Sequence, residues 1–145
     1  MKRTTIVLGY DGSECAQRAL DVAVSLAEES ATVHVVTAYD APTNRYISEL
    51  YASVPEEFTM NIDLLAAPRQ TLDDAVHSVE RHGITAVRHL IDDDPGGAIL
   101  DVANEVDADL IVVGSRGRGR AAQMLRGSVS TKVAHHSPVD FIVVH

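Results

Sequence analysis

Two short stretches of this chain combine glycine, serine and charge in a way that suits anion binding. The first is Gly9-Tyr10-Asp11-Gly12-Ser13; the second is Gly114-Ser115-Arg116-Gly117, continuing through Arg126-Gly127-Ser128-Val129-Ser130. Glycine lets the backbone approach a ligand closely, and a Gly-Ser pair opening a helix turns free N–H groups and a hydroxyl toward a negative group. A charge at a helix N-terminus is worth about 0.3–1 kcal/mol, or about 2 when partly buried. A hydrogen bond to a charged group adds about 1.5–3 kcal/mol. Micromolar binding needs about 8 kcal/mol, so such a loop must supply several contacts and needs an apolar pocket beside it.

The elements that would hold these loops are legible in the hydropathy pattern. Thr5-Ile6-Val7-Leu8, Val33-His34-Val35-Val36, Val87-Arg88-His89-Leu90-Ile91, Leu110-Ile111-Val112-Val113 and Phe141-Ile142-Val143-Val144 read as strands. The first, fourth and fifth are continuously apolar, as in a parallel sheet covered on both faces. Between them Ala16, Leu20, Ala23 and Ala27 repeat at helical spacing after a Ser13 cap, and Ile99, Val102, Ala103 and Val106 do so after Asp94-Pro95. Thr71-Leu72-Asp73-Asp74 reads as the opening of another helix that stops at Gly83. The segment from Pro42 to Pro68 reads as an irregular excursion. The alternation predicts one doubly wound α/β domain over 1–145: a five-stranded parallel sheet of order 3-2-1-4-5 with helices on both faces.

In such a sheet a ligand sits beyond the carboxyl ends of the strands, where the winding reverses. That puts the loops after strands one and four together, with the first helix and the end of strand two around Ala38 offering the apolar side.

Composition narrows the classes. The 145 residues carry 12 basic and 21 acidic side chains, a formal charge of −9, which argues against nucleic acid or an anionic membrane as the main partner. The charge is split: residues 1–113 carry −13 and residues 114–145 carry +4. Four of the five basic residues after 113, Arg116, Arg118, Arg120 and Arg126, fall in the second loop and read as counter-charge for an anionic ligand. No apolar run approaches the roughly 18 residues that span a bilayer, and the polar start lacks a signal peptide's pattern, so a cytoplasmic setting is expected. The one cysteine, Cys15, can form no intramolecular disulfide. Thirteen Asp against eight Glu, and two Lys against ten Arg, suit a salt-rich environment.

Taken together, Gly114-x2-Gly117-x9-Gly127-Ser128, the Asp11-Gly12-Ser13 loop, Asp40 after strand two, the run from Ala108 to Ser115 and Gly127-Ser128-Val129 followed by Pro138-Val139 resemble the universal stress protein family, in its ATP-binding branch. The resemblance covers essentially the whole chain. It implies that Asp11 and Ala38 lie against adenine, that Gly114, Gly117 and Gly127 take the ribose and phosphates, and that Ser128 and the Val129 N–H bind phosphate oxygens. Gly12, Ser13, Ser115 and Arg116 complete the two loops. It further implies ATP, ADP or AMP as ligand, Mg2+ or Mn2+ held through the phosphates, and a homodimer paired through the last strand. The function implied is nucleotide-dependent regulation in stress tolerance, without naming a downstream protein partner. A slow metal-assisted ATP hydrolase and a structural stress protein without nucleotide are the alternatives.

Two places depart from the family pattern: Asp92-Asp93-Asp94-Pro95, where a glycine commonly stands two residues before the proline, and Pro138-Val139-Asp140-Phe141. Asp94 reads as a helix cap, the other two aspartates as a solvated loop. Cys15 reads as a small buried residue or a thiol activated by a helix N-terminus. His135-His136 point about 100° apart on a helix, which does not suit a shared metal.

Overall fold

The computed structural model describes residues 3–39, 49, 52–53, 55, 63, 65–117 and 128–145. Five strands and four helices alternate among them: β1 Arg3–Gly9, α1 Glu14–Leu26, β2 Ala27–Tyr39, α2 Ala66–Glu80, β3 Thr85–Asp92, α3 Pro95–Glu105, β4 Leu110–Gly114, α4 Ser128–His136 and β5 Asp140–Val144. All pair in parallel in the order β3-β2-β1-β4-β5. This is the expected doubly wound fold, and its winding reverses between β1 and β4.

The sheet separates two apolar layers. On one face Ile6, Leu8, Val33, Val35, Leu110 and Val112 pack against Ala16, Leu20 and Ala23 of α1 and Leu72, Val76 and Val79 of α2. On the other, Val7, Val36, Ile111 and Val113 meet Ile99, Val102 and Ala103 of α3 and Val133 of α4. The continuous apolar runs of β1 and β4 follow from this double coverage. The outer strands differ: β3 leaves Val87 36% exposed and β5 leaves Phe141 39% exposed.

Helix ends match their chemistry. The Ser13 side chain accepts from the Ala16 N–H at 3.1 Å and caps α1, and the Asp94 side chain accepts from the Gly97 N–H at 2.9 Å and caps α3. Gly83, with φ of +76°, takes the left-handed position just past α2.

Two boundaries differ from the sequence reading. Helix α2 begins at Ala66, five residues before Thr71, and includes Pro68. Proline is tolerated in a first turn, where its missing N–H would have no partner. Asp63 organises this start: its Oδ1 accepts from the Leu65 N–H at 3.0 Å and its Oδ2 from Arg69 at 2.7 Å. Ala27 ends α1 and begins β2, so strand two starts six residues before Val33 and shifts register between Arg3 and Thr5. Most of the stretch 42–68 lies outside the described residues.

Candidate functional site

The loops after β1 and β4 meet at the carboxyl end of the sheet. Asp11 Oδ1 accepts from the Ser13 N–H at 2.9 Å, closing a turn in which Gly12 adopts φ of +79°. That value lies in the left-handed region, which side chains with a Cβ rarely enter. The Ser13 hydroxyl caps α1 and also donates to the Arg116 carbonyl at 3.2 Å. Asp11 Oδ2 lies 2.7 Å from the point where a Cβ on Gly117 would stand. The first loop therefore touches the second through a carboxylate and a hydroxyl.

Each loop is tied to the sheet behind it. The Tyr10 N–H donates to the Val36 carbonyl at 2.9 Å, and the buried Thr37 hydroxyl donates to the Tyr10 carbonyl at 2.9 Å. The Ser115 N–H donates to the Val144 carbonyl at 2.7 Å. Rigid backing of this kind holds a binding constellation more tightly than a free loop does.

Gly114 allows the close approach of α1. A Cβ there would stand 2.8 Å from Cys15 Cβ, 2.9 Å from the Cys15 carbonyl carbon and 3.0 Å from the Ala16 nitrogen. Cys15 is half-buried in this contact, with its Sγ 3.8 Å from Ser115 Oγ. Ala38, near the end of β2 and half-buried, packs on the α3 side of the sheet and pairs with Ile91. Ser128 and Val129 open α4, the first exposed and the second packed on the α3–α4 layer. The structure thus gathers Asp11, Gly12, Ser13, Ser115, Arg116 and Gly117 directly, with Gly114 beneath them. Gly127, Asp40, Arg118, Arg120 and Arg126 lie outside the described residues.

Lys132 was legible only as one of the basic residues near the end of the chain, yet it has a specific partner. Its Nζ donates to Asp94 Oδ2 at 2.7 Å, joining α4 to the cap of α3. Gly96 makes room for it: a Cβ there would lie 2.8 Å from Lys132 Cδ. Two adjacent glycines inside a helix, each costing about 1 kcal/mol against alanine, were the available signal for such an approach. The hydrogen bond from Lys132, and then that from the Gly97 N–H, holds the Asp94 carboxyl below its ordinary value; the bond to Asp94 and its charge in turn raise Lys132. Both groups are well exposed, so screening by water keeps the bridge's contribution small. It occupies the place where the Asp92-Asp93-Asp94-Pro95 stretch departs from the family pattern.

Among the described residues no three His, Cys, Asp or Glu side chains converge as a metal cluster. The two loops offer one carboxylate, Asp11, which suits an ion whose remaining ligands come from phosphates and water.

Comparison with known proteins bears on the whole chain. The model of the universal stress protein family matches residues 2–145. The universal stress protein YxiE of Bacillus subtilis is 32% identical over 145 residues, covering 96% of this chain and 97% of that protein. Universal stress protein Rv1636 of Mycobacterium tuberculosis is 30% identical over 142 residues, covering 97% and 95%. A solved universal stress protein in complex with cAMP aligns over 100% of this chain and 98% of its own, with 31% identity and a TM-score of 0.68.

Proposed function

Because the chain belongs to the universal stress protein family, we propose that it binds an adenine nucleotide, ATP foremost, across the loops after β1 and β4, and acts as a regulatory module in the stress response. The observation that carries the reading is the meeting of the two loops at the winding reversal, with Asp11 against Gly117 and Ser13 bonded to Arg116. Ligands of doubly wound sheets bind at that position. The 31% identical relative solved with cAMP supports an adenine nucleotide as the ligand class.

In this reading Asp11 and Ala38 take the base, Gly114, Gly117 and Gly127 take the ribose and phosphates, and Ser128 with the Val129 N–H takes phosphate oxygens at the start of α4. Ser115 and Arg116 border the phosphates, and Gly12 and Ser13 fix the shape of the base side. An accompanying Mg2+ or Mn2+ rides on the phosphates and supplies charge neutralisation; Asp11 is the carboxylate of the two loops within the site. The bound state is expected in the cytoplasm and in a homodimer. Among the described residues the outer strand β5 is paired on one edge only and Phe141 is exposed, which suits pairing with a second copy.

Mass spectrometry of the nucleotide released on unfolding the purified protein, with calorimetric titration of ATP, ADP and AMP, tests this reading. Expected is an adenine nucleotide in the released fraction and micromolar ATP binding. No released adenine compound together with no heat of ATP binding would overturn it and leave the structural role without nucleotide. Phosphate release with and without Mg2+ or Mn2+ separates a binding module from a slow hydrolase: a rate equal to buffer is expected for the module.

A further inference from the structure

Away from the nucleotide loops, strands β2 and β3 carry a second constellation. His34 pairs in register with Val87, and His89 with Val36, so the two histidines are diagonal neighbours on one sheet face. His34 Nδ1 and His89 Nε2 are 2.9 Å apart, and the rings lie 5.2 Å between centroids at 38°. Both side chains belong to half-buried residues, and His89 lies on β3, the outermost strand.

A hydrogen bond between two imidazoles needs one N–H and one lone pair, so the acceptor ring must be neutral. The pair can hold no proton beyond its tautomers, or one more. A second excess proton turns both facing nitrogens into donors and places two positive charges in contact. We propose that His34 and His89 form a proton-limited clasp, which ties the outer strand β3 to β2 and, by excluding a second proton, destabilises the fold as the pH falls from neutral into mild acid.

The surroundings set the direction. From α3, which packs on β1 and β2, Glu105 faces His89 and favours its charged form, while Asp101 lies by Lys132. On β1 the residue opposite His34 is Val7; Val36, Val87 and Ile91 share the face. Arg88 turns away to Asp73 of α2 at 2.8 Å. Burial lowers both histidines, and the charge of His89 lowers His34 further. Any first proton therefore settles toward Glu105 on His89, and His34 is the group denied the second.

In the unfolded chain both imidazoles titrate near the ordinary value of about 6.5. The unfolded state then binds more protons below that pH, so stability falls as pH falls. For one excluded proton, the unfolding equilibrium constant should rise by about tenfold between pH 7.5 and 5.5. The other histidines contribute equally to a variant that lacks the clasp.

The experiment uses the full chain. Denaturant unfolding at pH 7.5 and 5.5 is compared between wild type and His89→Gln, which supplies a permanently neutral hydrogen-bonding partner. Expected is a rise up to about tenfold larger for wild type, with hydrogen-exchange protection of those β3 amides that bond to β2 reduced in acid by a like factor in wild type alone. Equal rises in the two proteins would overturn the proposal. An NMR titration of the wild-type imidazoles decides independently of how the variant folds. The His34 and His89 signals should move together and remain incomplete at pH 5.5, where an ordinary histidine is about 90% protonated. Two independent curves near pH 6.5 would refute the clasp.

Discussion

Gly114→Ala probes the join on which the whole candidate site rests. The added methyl would stand 2.8 Å from Cys15 Cβ, 2.9 Å from the Cys15 carbonyl carbon and 3.0 Å from the Ala16 nitrogen. Non-bonded carbons sit comfortably at about 3.5–4.0 Å, so β4 and the first turn of α1 must part by about 0.7 Å. Two of the three contacts are backbone atoms, and no change of rotamer relieves them. Overpacking of this kind costs about 1–3 kcal/mol, which in a chain of this size lowers the melting temperature by about 3–10 °C. The same movement pulls Ser13, at 3.2 Å from the Arg116 carbonyl, out of hydrogen-bond range and separates the two loops. Losing one charge-assisted contact to a phosphate would weaken ATP about ten- to a hundredfold. Thermal unfolding without ligand and calorimetry with ATP measure the two effects separately. A further Cys15→Gly change removes only the first contact, so it should restore the melting temperature in part at most. Unchanged melting and unchanged affinity in Gly114→Ala would refute the packing argument. A lower melting temperature with full affinity would show that the loops do not hold the nucleotide.

Four further substitutions follow from the same geometry. Gly117→Val places its Cβ 2.7 Å from Asp11 Oδ2 in an exposed loop, so ATP affinity should fall at least tenfold while ligand-free melting moves by no more than about 2 °C; calorimetry and thermal unfolding check both halves. Asp94→Asn should flatten the acid limb of stability. The folded carboxyl is held below its ordinary value of 3.8 by Lys132 and the Gly97 N–H, so its contribution is present above that pH and disappears as pH falls through the lower folded value. Denaturant midpoints from pH 5 to 2 in both proteins provide the measurement. Gly97→Ala adds a methyl 3.4 Å from Asp94 Oδ2, an ordinary contact, and should stabilise by up to about 1 kcal/mol. Gly96→Ala meets Lys132 Cδ at 2.8 Å and should instead destabilise and displace the lysine from Asp94. The order of the two melting temperatures is the readout.

The fold was legible because its signals are local and redundant. Unbroken apolar runs mark strands covered on both faces, Ser13 and Asp94-Pro95 mark helix starts, and Gly83 marks a helix end. The start of α2 is not legible because the irregular excursion runs to Pro68, and a first turn accepts that proline. The early start of β2 was hidden for a related reason: Ala27 continues the helical period of α1, and only pairing with Arg3 makes it a strand residue.

The site divided along the same line. Residue types and spacing selected Asp11, Gly12, Ser13, Gly114, Ser115, Arg116 and Gly117, because glycines and a short hydroxyl at strand ends are a chain-local pattern. Contacts between residues far apart in sequence leave no such mark. Lys132 on Asp94 spans 38 positions, Ser13 on Arg116 spans 103, and His34 on His89 spans 55. Periodicity and capping chemistry act within a turn or a strand, so the sequence by itself determined the alternation of elements and the two glycine-serine loops at strand ends. Which side chains face one another across strands and helices depends on register and crossing distance. Only the tertiary structure decided that Gly96 admits Lys132, that Gly114 admits α1, and that two half-buried imidazoles share one hydrogen bond.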